Sequence, residues 1–142
     1  MLSRNDLFST WGEFLERESW DLFATFTFRE TISLDKAKRE FKRFFKYLNS
    51  KTNPFFDKFI RTFIVFERNP GRPGVHIHCL IKGINPTLAS KISDKWKGES
   101  KVLPYNPKEG ARFYLANICL SPERIEHYDR FTINSRYRNK HH

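Results

Sequence analysis

Residues 59–67, FIRTFIVFE, and residues 75–83, VHIHCLIKG, are short runs rich in β-branched and aromatic side chains. Asn69-Pro70-Gly71-Arg72-Pro73-Gly74 lies between them. Two such runs joined by dense turn chemistry predict an antiparallel hairpin with a rather long loop. Side chains alternate along a strand, so His76 and His78 share one face, while Val75, Ile77 and Cys79 point into the opposite layer. Glu67 ends the first strand, and the hairpin brings it alongside the histidines.

Around the hairpin the periodicity changes. Residues 21–28, DLFATFTF, place Leu22, Ala24, Phe26 and Phe28 on one side and Phe23, Thr25 and Thr27 on the other, as in a strand. Behind Ser3 and Asp6, residues Leu7, Phe8, Trp11, Phe14 and Leu15 recur at helical spacing, so residues 4–17 read as an amphipathic helix. Leu34 to Asn49 carries a stripe of Ala37, Phe41, Phe44, Phe45 and Leu48 opposite a face of Lys36, Lys38, Arg39, Lys42, Arg43 and Lys46. Asn85-Pro86 opens a helix with Leu88, Ile92 and Trp96 at intervals of four. A short strand follows around Lys101–Leu103, and a helix over 108–119. This order predicts an α+β fold, a central antiparallel β-sheet with helices packed mainly on one face. With 142 residues and no dividing linker, one domain is expected over 1–130. Residues 131–142 read as a flexible, basic polar tail, and His127, His141 and His142 as solvated surface.

The charge balance narrows the partners. Lys and Arg number 26 against 16 acids, a formal net charge of +10 with a pI near 9.8. Such an excess favours a polyanion, nucleic acid before an anionic membrane surface. No apolar run approaches the roughly 18 residues of a membrane span. Met1 opens onto a polar segment rather than a signal peptide. No helix combines a basic face with apolar residues beyond the needs of a core, as a membrane-surface protein requires. Cys79 and Cys119 lie in apolar surroundings without metal-ligand spacing and read as reduced thiols, so a cytoplasmic protein is expected.

Three features carry possible chemistry. His76 and His78, about 7 Å apart along a strand, can share a divalent cation if a third ligand is close, and Glu67 supplies one. That mixed donor set suits Mn²⁺ or Mg²⁺ in handling phosphate, with Zn²⁺ or Ni²⁺ as occupants outside the cell. The same pattern also fits two polar residues on a solvated face. Tyr114 and Asn117 project together from the last helix. A tyrosine oxygen made nucleophilic by a cation or base attacks a phosphodiester to leave a phosphotyrosine, although a helical tyrosine beside Phe113 also fits a core position. Finally, the basic helix face with Lys42 and Arg43, together with Arg68 and Arg72, offers phosphate contacts.

In this order, these features resemble the HUH endonucleases, and among them the small rolling-circle replication initiators, the Rep proteins. FATFTF at 23–28 is similar to the family's first motif. ERNPGRPGVHIHCLIKG at 67–83 is similar to the second, and GARFYLANICL at 110–120 to the third. The resemblance implies a ferredoxin-like sheet and a metal-dependent nickase and strand transferase for single-stranded DNA or an origin hairpin of a plasmid or virus. His76, His78 and Glu67 would hold the ion. Tyr114 would attack the scissile phosphate, leaving a 3′-OH and a 5′-phosphotyrosine link. The family usually has Tyr-x-x-Lys, whereas Asn117 stands at the lysine position here. The missing charge would then fall to Lys108 or Arg112. With no helicase segment, strand opening would depend on a host helicase or an extruded hairpin, and extension on a host polymerase. A single-strand transposase shares the same residues. A binding-only nucleic-acid domain is consistent with the charge and with Asn117.

Overall fold

The computed structural model describes residues 19–48, 59–106, 108–109 and 125–134. The elements are β1 (Leu22–Phe26), α1 (Leu34–Leu48), β2 (Phe59–Arg68), β3 (Val75–Lys82), a 3₁₀ turn (Pro86–Leu88), α2 (Ala89–Lys95), β4 (Ser100–Pro104) and β5 (Ile125–Asn134). Among these residues the fold is α+β, as its sequence predicts. Five strands form one sheet in the order β4-β1-β3-β2-β5, and every neighbouring pair is antiparallel. The first four strands and the helices between them follow the split β-α-β-β-α-β course of ferredoxin-like folds. This course puts β3, the strand carrying both histidines, at the centre of the sheet.

Alternation decides which side is core. Leu22, Ala24 and Phe26 of β1, Ile60, Ile64 and Phe66 of β2, and Val75, Ile77, Cys79 and Ile81 of β3 are buried in one cluster. The α1 stripe packs on them through Ala37, Phe41, Phe44, Phe45 and Leu48. Phe26 lies at the junction, with Phe44 and Trp96 at ring-centroid distances of 5.7 and 4.7 Å. Helix α1 begins where Ser33 Oγ accepts from the Lys36 backbone N–H at 3.3 Å, with Asp35 favourable in the first turn. Cys79 is a free, buried thiol, and burial pushes its pKa well up, so it is inert core material. No helix among the described residues is long and apolar enough to cross a membrane.

Two expectations need correction at the chain's far end. The tail expected from residue 131 begins too early, because 131–134 complete β5. That strand pairs with β2 from Phe59↔Asn134 to Glu67↔Ile125, with an irregularity between Phe66 and Glu67. A ten-residue β2 leaves backbone donors and acceptors along its outer edge, and β5 satisfies them despite its polar composition. His127 is likewise not solvated surface. It is half-buried, and its ring lies 5.9 Å from that of Phe66. The helix expected from Asn85-Pro86 also differs locally. It opens with a 3₁₀ turn capped by Asn85 Oδ1, which accepts from the Thr87 N–H at 3.0 Å. The helices expected over 4–17 and 108–119, apart from the Lys108–Glu109 turn at the start of the latter, lie outside the described residues, as does Cys119.

Candidate metal centre

The hairpin register sets the site. Glu67 on β2 stands directly across from His76 on β3, Val65 across from His78, and Thr25 of β1 flanks His78 from the other side. The three acid–base side chains therefore project from the face opposite the two described helices. That face is not simply open: Phe63, Val65 and Leu80 beside them are buried. The side chains of His76, His78 and Glu67 are only 12%, 14% and 5% exposed.

Their ligand atoms converge. Glu67 Oε1 lies 2.8 Å from His76 Nε2 and 3.6 Å from His78 Nε2, and the two Nε2 atoms are 3.1 Å apart. Neighbouring ligands at about 2.1 Å from one ion lie roughly 3.0 Å apart in an octahedral shell and 3.4 Å in a tetrahedral one. The triangle matches one face of such a shell, and Glu67, His76 and His78 can hold a metal ion.

The atoms behind the ligands support the same arrangement. Asn69 is buried in the turn, and its Nδ2 donates to the Pro73 carbonyl at 3.1 Å, which directs Oδ1 toward His76. His76 Nδ1 lies 2.9 Å from that Oδ1 and so carries a proton, leaving its Nε2 lone pair facing Glu67. A lone pair and a carboxylate oxygen 2.8 Å apart repel unless a cation stands with them, either a proton or a metal ion. Thr25 Oγ1 sits 3.2 Å from His78 Nδ1 and, when it accepts that proton, frees the second Nε2 in the same sense. Where a proton rather than a metal ion stands there, burial pushes the Glu67 carboxyl up, but hydrogen bonds from His76 and His78, and then their charge, outweigh it and hold its pKa at about 2.

The other sequence candidates are distributed unevenly. Arg68 and Arg72 are exposed at the hairpin end that carries the triad. Lys42 and Arg43 are exposed on α1, on the other side of the sheet, with Arg43 paired to Glu40 at 3.2 Å. Lys108 is exposed in a turn beyond β4. Tyr114, Asn117 and Arg112 lie outside the described residues. Asn69 escaped the sequence reading because an Asn-Pro-Gly turn explains its presence without any role for its side chain.

Comparison with known proteins adds no identity. No protein-family profile matches the chain, and neither does any curated protein or solved structure.

Proposed function

We propose that the protein is a metal-dependent, single-stranded DNA nickase and strand transferase that initiates rolling-circle replication of a plasmid or virus. The observation that carries this reading is the convergence of Glu67 Oε1 with the Nε2 atoms of His76 and His78 on the central strand. The net charge of +10 supports a nucleic-acid substrate. Two imidazoles and one carboxylate suit Mn²⁺, Fe²⁺ or Zn²⁺; phosphate as substrate favours Mn²⁺ or Mg²⁺. Bound there, such an ion supplies Lewis-acid polarisation of a phosphate oxygen.

The chain's own residues do the rest. Glu67 and the two histidines fix the phosphate-facing side of the centre, and Asn69 and Thr25 hold the imidazoles in the ligating orientation. Arg68 and Arg72 stand at the same end of the hairpin to neutralise flanking phosphates. Tyr114 is the assigned nucleophile. Its Oη bonds to phosphorus as the bond to O3′ breaks, and the phenolic proton is made up on the departing 3′-OH. The 5′ side remains joined to the protein as a phosphotyrosine. That linkage keeps the phosphodiester's free energy, so rejoining requires no nucleotide. Lys108 or Arg112 takes the cationic part that Asn117 lacks.

The test is a denaturing gel of the protein with labelled single-stranded DNA from its own replicon, run with Mn²⁺ and with EDTA. A Mn²⁺-dependent band of protein plus DNA, lost in Tyr114→Phe, is expected. Asn117 favours a second reading, a binding-only domain. Salt-sensitive binding with no adduct on any strand would establish that reading instead.

A further inference from the structure

A second site lies at the same end of the sheet, on the helical side. A cleft of about 740 Å³ opens between the β1–α1 loop, the flank of α1 and the segment that joins α2 to β4. Its wall is aromatic. Phe28 and Phe44 meet Trp96 at centroid distances of 5.3 and 4.9 Å, and Tyr47, 53% exposed, stands at the rim.

The wall is held in place before any ligand arrives. Trp96 Nε1 donates to the Thr27 carbonyl at 2.7 Å, and the Thr27 N–H donates to the Glu99 carbonyl at 2.9 Å. Between these contacts Gly98 passes so close that a Cβ would overlap the Thr27 carbonyl oxygen. The cleft is also basic: five of its residues are Lys or Arg and two are Glu, and one of those acids, Glu40, is already engaged by Arg43.

Its position links it to the triad. Thr25 touches His78, and two residues later Thr27 secures Trp96. On the other side, a Cβ at Gly74 would lie 3.2 Å from the Ile32 N and 3.4 Å from Thr31 Cγ2, so the cleft's loop rests on the turn that leads into His76.

Fixed aromatic rings beside cations form the chemistry that binds single strands, because bases stack on the rings while Lys and Arg follow the phosphates. We infer that the cleft is a base-stacking subsite for single-stranded DNA, with Tyr47 and Trp96 taking bases and Lys36 and Lys97 neutralising the adjoining phosphates. A strand whose phosphate meets the triad then continues round the end of the sheet into the cleft. The choice of DNA rests on the nickase reading, whereas the stacking site rests on the cleft itself.

The experiment is fluorescence anisotropy of a labelled twelve-residue oligothymidylate with the full chain in EDTA, where neither metal nor strand transfer contributes. Tyr47→Ala should weaken binding roughly ten-fold, the loss of one stacked base. Lys36→Glu with Lys97→Glu should weaken it at least as much and reduce the salt slope by about 1.4, the single-strand value for two lost phosphate contacts. Arg61→Glu with Lys91→Glu changes the charge equally at exposed positions outside the cleft and should have a much smaller effect. Equal losses in the two charge pairs, or wild-type affinity in the cleft variants, would overturn the subsite. Tighter binding of an oligouridylate of the same length would overturn the assignment to DNA. Cleft-dependent binding without a Mn²⁺-dependent adduct would leave the subsite standing while the nickase reading failed.

Discussion

Asn69 Oδ1 and His76 Nδ1 lie 2.9 Å apart, and the direction of that contact is fixed from the far side of the amide by the Pro73 carbonyl. A turn residue thereby decides which nitrogen of a β3 histidine faces Glu67. The tautomer is set by the backbone path of the hairpin loop, not by the ligands themselves.

Removing the amide should therefore loosen the ligand without removing it. Asn69→Ala is expected to lower divalent-metal affinity by about 10- to 100-fold. Asn69→Asp, which keeps an acceptor facing Nδ1, should recover much of the loss. Isothermal titration with Mn²⁺ measures both. Equal affinity in wild type and Asn69→Ala would remove the turn from the account.

Glu67 gives a pH signature in the metal-free protein. Its folded-state pKa of about 2 lies below the ordinary 4.5. A carboxyl depressed on folding stabilises fully above the higher value and loses that contribution as pH falls through the lower one. Urea midpoints recorded in EDTA should fall between pH 4.5 and 2 more steeply for wild type than for Glu67→Gln. Parallel curves would show that the carboxylate has no favourable partners in the fold.

Gly98 is the one position where the cleft wall tolerates no side chain. Gly98→Ala forces a methyl against the Thr27 carbonyl, a backbone atom also held by Trp96. Overpacking of this kind costs about 1–3 kcal/mol, readable as a lower urea midpoint at unchanged slope. A midpoint within error of wild type would mean that the 96–99 segment yields freely.

What the sequence made legible follows from which physical signals are local. The β2–β3 hairpin was readable because its period of two and its Asn-Pro-Gly turn act over neighbouring residues, and the hairpin alone brought Glu67 alongside the histidines, while its register opposite His76 comes from the structure. The α1 stripe was readable for the same reason, down to the buried Phe41, Phe44 and Phe45. The strand β5 was not, because its place comes from the open edge of β2 some sixty residues earlier, not from an apolar pattern of its own. Asn69 was hidden by its own turn propensity. The cleft was beyond reach, since Thr27 and Trp96 meet across 69 residues of chain.

Glu67, His76 and His78 converge as one preorganised set of donors that can hold a metal ion. Titrating Mn²⁺ into the metal-free wild-type protein, and into His78→Ala and a His76→Ala/His78→Ala pair, tests that claim most directly. One ion per chain in the wild type, sharply weakened in the single variant and lost in the double, is the expected result. A wild type that binds no ion, or a double variant that binds it equally well, would contradict the claim.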